Sequence, residues 1–381
     1  MVFESFHEQG FIIHMIYLFG ALTLFYLING VYYFWGIQRL SIRMKGVNQV
    51  DIRKHPFVSI IVPARNEVNT ITRCLNCLMK QDYPGDRFEI IPVNDASKDG
   101  TLEVIVAAAG SDSRIRPVHI LSEERAQKGK INAIDQGIQK ARGEIIITTD
   151  ADVWMGSHWI NSMVHAFSDR TGLIMGITLE EFSGDFIHAF QALDGAGIRV
   201  IAAALAEMNN PITCQGSNLA FRREAYFQVR ESVLTLGITF GNREWLMQEI
   251  DIATDWEIHP QLDPDSFAYT TSTDTWSALI NQRSRWASTG KNYTKFSVRV
   301  YLYTIYFTLF SFILGFFILT PNLIGLQWVI KLCVDLSVTL AVVRVLQQQK
   351  LLFAFPLVFI LQPLMVVITA FMGTFGLYRW K

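Results

Sequence analysis

Apolar and polar positions alternate in two different ways along this chain. Residues 11–36, 301–330 and 351–378 contain no Asp, Glu, Lys or Arg. A helix that crosses a bilayer needs roughly 20 apolar residues. The stretch 11–36 meets that length, and the C-terminal third supplies 301–320, 323–344 and 353–378. Pro321 and Asn322 divide the first two of these, and the polar run from Arg344 to Lys350 divides the last two. The pattern predicts one membrane helix over 1–37 and three over 299–381, with a water-soluble domain over 38–298 between them. Inside that domain the period changes. Short apolar runs at 57–64, 88–95, 116–121 and 144–149 read as buried strands. Segments 68–80 and 130–141 have helical periodicity, and Asp99, Gly100 and Thr101 open another helix. Strands alternating with helices predict an α/β fold with a mainly parallel sheet covered on both faces.

Composition sharpens this division. The chain has 381 residues and 18% charged residues, against roughly 25% in an average soluble protein, so the deficit lies in the apolar segments. A simple soluble enzyme is excluded, and so is a many-helix transporter. The net charge of −1 gives no support to a nucleic-acid partner. The apolar stretch from Phe11 is too long for a signal-peptide core, and acidic Glu4 and Glu8 precede it, so a retained membrane helix is expected. Arg39, Arg43 and Lys45 follow the first span, and Arg283, Arg285, Lys291, Lys295 and Arg299 precede the second. Lys/Arg bias then places the middle domain in the cytoplasm and the N-terminus outside, as for a bacterial inner membrane. Arg379 and Lys381 at the C-terminus run against that rule. Lys331 and Asp335, one turn apart within a span, are expected to neutralise each other. Cys74 and Cys77 form a C-x-x-C with no second ligand pair, so they read as small packed residues on one helix face.

Candidate chemistry collects where strands end. One run leads into Pro63, Arg65, Asn66 and Glu67, another into Asn94, Asp95, Lys98 and Asp99, and a third into Asp150 and Asp152. Ligands of open α/β sheets bind at such carboxyl edges. There is no G-x-G-x-x-G and no P-loop. Two carboxylates at i, i+2 suit a hard cation such as Mg²⁺, shared with substrate phosphates. Lys130, at a helix start, suits a diphosphate.

With those strand ends in place, the sequence resembles glycosyltransferase family 2. The matching pieces are 58–67 with 94–101, then 128–133, then Asp150-Ala151-Asp152, then Gln215-Gly216-Ser217-Asn218, and finally Gln282-Arg283-Ser284-Arg285-Trp286, the Q-x-x-R-W pattern of its membrane-integrated members. That branch includes cellulose, chitin, hyaluronan and poly-N-acetylglucosamine synthases and ceramide glucosyltransferases. The resemblance implies a GT-A fold and an inverting transfer from a nucleoside-diphosphate sugar, with a UDP-sugar favoured. By motif position it implies that Pro63, Arg65, Glu67, Asp95, Lys130 and Asp150 bind the nucleotide sugar. Asp152 would hold a divalent metal, Mg²⁺ or Mn²⁺. Gln215, Gly216, Ser217, Asn218, Gln282, Arg285 and Trp286 would border donor sugar and acceptor. The implied acceptor is a lipid or a growing glycan, with membrane lipids as further partners. The pattern departs at one place. Asn242 and Arg243 stand where the family has an acidic pair. An Arg stays protonated and cannot act as a base. Glu244 is then the expected base, ahead of Glu249 or Asp251. The alternative is a nucleotide-sugar-binding scaffold with impaired catalysis.

Overall fold

The computed structural model describes residues 2–46, 55–121, 129–182, 184–235, 244–290, 293 and 295–379, with side chains of the first helix described for 13–44. The chain divides into two compact units. One comprises Arg39–Glu181 and Ile198–Thr271, and the other Met1–Gln38, Phe182–Gly197 and Ser272–Lys381.

The first unit is built on strands β1 (Val58–Ala64), β2 (Phe88–Asp95), β3 (Val118–Ile120), β4 (Ile145–Thr149), β6 (Thr171–Met175), β8 (Asn218–Arg222) and β9 (Glu257–Pro260). They form one sheet in the order β3-β2-β1-β4-β8-β6-β9. β1 runs parallel to β2 and β4, and β2 to β3. Alternation of apolar side chains explains the layers. Val58, Ile60 and Val62 face one side, where Leu75 of α2 (Ile71–Met79), Ile105 of α3 (Thr101–Ser111) and Trp159 of α5 (Trp159–His165) cover them. Ile61, Val93 and Ile146 face the other, under Ile138 of α4 (Gly129–Lys140), Val229 of α7 (Arg223–Thr235) and Met247 of α8 (Glu244–Ala253). The predicted strands and helices are all present, shortened by a few residues at some ends. β8 enters antiparallel between β4 and β6. A strand of reversed direction begins where its parallel neighbours finish, so the segment before β8 lies at the edge where β4 ends. Strands β5 (Val153–Met155), β7 (Thr178–Glu180) and β10 (Ala268–Thr270) form a small second sheet.

The second unit holds most of the apolar helices. These are α1 (Val2–Gly46), the first half of α6 (Phe186–Glu207), α9 (Trp276–Ala287), α10 (Phe296–Ile318), α11 (Pro321–Val345) and α12 (Phe355–Thr374). Pro321 occupies the first turn of α11, where a missing N–H costs nothing. Among the described residues, five helices are long and apolar enough to cross a membrane: α1, α6, α10, α11 and the stretch ending in α12. The hydropathy reading anticipated four of these. α6 differs, because 83% of its apolar window is buried inside the protein, whereas the others are mostly open on their outer faces.

Lys331 and Asp335 of α11 are paired, as their spacing predicts. Lys331 is 0% exposed, and its ammonium donates to Asp335 and to the Phe359 carbonyl at 3.1 Å. Tyr26 of α1 donates to the other Asp335 oxygen. A second polar set lies nearby on α1, α10 and α11, where the Gln327 amide reaches the Thr23 and Ser311 hydroxyls at 3.3 and 3.4 Å.

Candidate functional site

The site begins at the carboxyl edge of β1, β2 and β4. β1 and β4 pair only as far as Ile61↔Thr148. Pro63 follows that last pair, so its missing N–H takes nothing from the β1–β4 ladder, and a crevice opens where the strands part. The loops after β1 and β2 then brace each other. Asn66 turns the first loop at φ 55° and Ala96 turns the second at φ 50°. Such left-handed residues persist where surroundings hold them. Here the Lys98 N–H donates to Asn66 Oδ1 at 2.9 Å, the Asn66 N–H to Ser97 Oγ at 3.1 Å, and the Glu67 N–H to Thr101 Oγ1 at 2.8 Å. Thr70 donates to Glu67 Oε2 at 2.7 Å and fixes that carboxylate. Asp95, buried at the end of β2, has its carboxyl raised above the usual range by burial, with the Arg65 charge pulling it back down.

Asp150 and Asp152 follow β4, as expected. Lys130, in the first turn of α4, lies 2.9 Å from Asp150 Oδ1. The Asp152 carboxyl is pushed up to about 6, first by burial and then by the charge of Asp150. The charge of Asp150 is the cause that a divalent cation would relieve. That donor set fits Mg²⁺ or Mn²⁺, which need few protein carboxylates when phosphates and water complete the shell. Among the described residues no group of three or more His, Cys, Asp or Glu could hold a metal unaided. Cys74 is buried, its thiol pushed up first by burial, and Sγ points to the Asp150 carbonyl at 3.5 Å.

The loop before β8 reaches the same edge, because Asn218 pairs with Thr149. Its residues are positioned by their own hydrogen bonds. Gln215 Oε1 accepts from the Thr178 N–H at 2.8 Å, and the Ser217 hydroxyl meets the Thr178 hydroxyl at 2.9 Å. The Gly216 carbonyl accepts from Thr148 at 3.2 Å. Asn218 is fully buried, and both its amide hydrogens go to carbonyls, of Ile177 at 2.9 Å and Ser266 at 2.8 Å. Its Oδ1 accepts from the Trp159 indole at 3.0 Å. Asn218 therefore ties the loop to both sheets, and its amide has no hydrogen to spare for a ligand. The family resemblance had implied by motif position that Asn218 borders the donor sugar and acceptor.

Glu244 is the first residue of α8, and its carboxylate accepts a hydrogen bond from Thr213, two residues before Gln215. The helix start thus brings Glu244 beside this loop. Glu249 is buried in α8 with its carboxyl raised by burial, and Asp251 lies on the same helix. Asn242 and Arg243 lie outside the described residues. Gln282, Arg285 and Trp286 belong to the other unit, on α9. Thr213, Thr178 and Thr70 went unnoticed in the sequence, because a lone Thr carries no signal of what it will touch.

Residues 59–229 match the family model described as Glycosyl transferase family 2. Glycosyltransferase AglE of Haloferax volcanii is 34% identical over 125 residues, 33% of this chain and 40% of that protein. The probable glycosyltransferase YdaM of Bacillus subtilis is 25% identical over 315 residues, 76% of this chain and 70% of that protein. The chain thus spans well under half of AglE and a little over two thirds of YdaM. The mannosyltransferase PcManGT from Pyrobaculum calidifontis, solved in complex with GDP-Man and Mn²⁺, superposes with a TM-score of 0.60 at 17% identity, covering 95% of this chain and 99% of that one. That likeness concerns the fold, which is a GT-A-like α/β fold with a mostly parallel sheet plus several long apolar helices. With the sheet edge, the neighbouring aspartates and the family match in agreement, residues 59–229 form a domain of the glycosyl transferase family 2 type.

Proposed function

We propose that this protein is a membrane-bound inverting glycosyltransferase of the Q-x-x-R-W branch. It moves a sugar from a nucleoside-diphosphate sugar, with UDP favoured, to a lipid or growing glycan at the membrane. The observation that carries this reading is the meeting of Lys130 with Asp150, beside Asp152, at the carboxyl edge of a family 2 sheet. Glu67, Asp95 and Arg65 surround the nucleoside, and Asp150 and Asp152 would hold Mg²⁺ or Mn²⁺, whose charge offsets that of the diphosphate. Lys130 adds a fixed positive charge for the leaving group. Glu244 takes the proton of the acceptor hydroxyl as its oxygen bonds the anomeric carbon and the bond to the diphosphate breaks. Gln282, Arg285 and Trp286 form the acceptor side. The helices that follow them in the chain suit an amphiphilic acceptor, and four or five spans favour a lipid-linked or short acceptor over a long polymer. The basic flanks of α1 and α10 support a domain on the cytoplasmic side of a bacterial inner membrane.

The test is release of nucleoside diphosphate by purified membranes from UDP-glucose, UDP-N-acetylglucosamine and GDP-mannose, with Mg²⁺ or Mn²⁺ and a membrane lipid extract as acceptor. One donor is expected to react. Glu244→Gln is expected to slow transfer about a hundredfold or more while UDP still binds. Full transfer by Glu244→Gln would remove it as the base. No release from any donor would favour the scaffold reading.

A further inference from the structure

The residues of the Q-x-x-R-W segment on α9 differ in exposure. Trp286 is 41% exposed, and Gln282 and Arg285 are half-buried. Arg283, inside the motif, is 8% exposed. Its Nη2 lies 2.9 Å from Asp194 Oδ2 on α6, and the Asp194 side chain is also 8% exposed. The same guanidinium sits over the Trp286 ring, 4.7 Å from its centroid. Its Nε is buried with no acceptor. All these residues lie in one unit.

A buried ion pair is a poor device for stability, since apolar replacements of similar volume often serve as well or better. Its orientation is more specific. A planar guanidinium held at one edge by a carboxylate presents its face to the ring and selects one ring position. The helix that carries the ring is also clamped. Leu279 packs with Phe190 of α6 and Met365 of α12. A Cβ on Gly373 of α12 would come within 2.5 Å of the Ser284 carbonyl oxygen and 2.8 Å of the Ser288 nitrogen, so α12 meets the α9 backbone directly.

We infer that Asp194 and Arg283 are positioning residues: through the guanidinium they fix the Trp286 ring as a platform for the acceptor, a molecule with a sugar-like or lipid-linked hydroxyl. This rests on the assignment of Trp286 to the acceptor side. Asp194, Arg283 and Trp286 share one unit, and the effect is expected on acceptor use.

Two measurements test it. In kinetics with the reacting donor and membrane lipid extract, Asp194→Asn and Arg283→Lys are each expected to raise the half-saturating acceptor concentration about tenfold, with UDP affinity in the presence of Mn²⁺ unchanged within about twofold. Asp194→Asn in a Trp286→Leu background is expected to add nothing further, because the ring through which it acts is gone. Multiplicative losses in the double variant would overturn the inference, as would equal losses of UDP binding and transfer. The second measurement needs no turnover. In protein labelled with 5-fluorotryptophan, the ¹⁹F resonance absent from Trp286→Phe is expected to shift or broaden in Asp194→Asn and Arg283→Lys while the other tryptophans hold. An unmoved Trp286 resonance overturns the inference, and so does a general collapse of the spectrum in both variants. Failure of every donor to react would sink the proposed activity and leave this resonance to decide the positioning role.

Discussion

Lys130 and Asp150 show how a single contact separates function from stability. Their side chains are 40% and 24% exposed at 2.9 Å separation. An ion pair that open contributes about 0–1 kcal/mol, so stability alone does not explain a lysine at this helix start. Lys130→Met is expected to change thermal stability by less than about 1 kcal/mol. It is expected to weaken UDP binding about tenfold in titration calorimetry, the loss of one charge-assisted phosphate contact. A dissociation constant unchanged within about twofold would remove Lys130 from the nucleotide site. Thr213 makes a similar point for Glu244. A residue with no motif of its own holds the carboxylate on which the proposed chemistry depends.

At the scale of elements, α4 and α7 are joined by one buried carboxylate. Asp135 accepts two hydrogen bonds from Arg230, at 2.6 and 2.9 Å, one from Tyr226 at 2.7 Å and one from Gln139 at 2.6 Å. Burial pushes the Asp135 carboxyl up, but these donors outweigh it and leave it below its ordinary value. Glu89, bonded by Ser59, the Arg142 N–H and Arg116, is lowered in the same way against the same burial. A carboxylate lowered in the folded state stabilises above its unfolded pKa and loses that contribution as pH falls through the folded one. The contribution of these two carboxylates to the unfolding temperature is therefore expected to be constant above about pH 5 and to be lost progressively below about pH 4. Asp135→Asn is expected to cost about 2–3 kcal/mol at neutral pH and to make the acid fall shallower. A variant that melts like the wild type at pH 7 would show that α4 and α7 do not depend on this brace.

At the scale of the molecule, the apolar helices are fastened by charge as well as by packing. α1 is separated from α11 by most of the chain, yet Tyr26 bonds Asp335, and a Cβ on Gly30 would come within 2.3 Å of Val334. Lys331 is wholly buried, so removing its partner strands a charge in a dry site. Asp335→Ala is expected to destabilise the detergent-solubilised protein by about 3–5 kcal/mol. The double change Lys331→Met with Asp335→Leu is expected to be clearly milder. Thermal challenge followed by size-exclusion chromatography reads both, and equal losses in the two would argue against a paired charge.

Periodicity, charge and strand-end polarity were enough to locate four of the long apolar helices, the α/β class, the strands and helices near the N-terminal half of the domain, and the strand ends, loops and helix start that carry Glu67, Asp95, Lys130, Asp150 and Asp152. They are local properties, written within a few turns or a single strand and its following loop. Other features depended on contacts between distant segments. The reversed direction of β8 brings Gln215 to the edge where Asp150 sits, and no residue in that strand announces its direction. The interior character of α6 was hidden because an apolar helix covered by protein and one covered by lipid have the same composition. Asn218 became a brace, Thr213 a partner of Glu244, and Asp194 a partner of Arg283. In each case the partner lies many residues away, and only the folded chain brings the two polar groups within hydrogen-bonding distance.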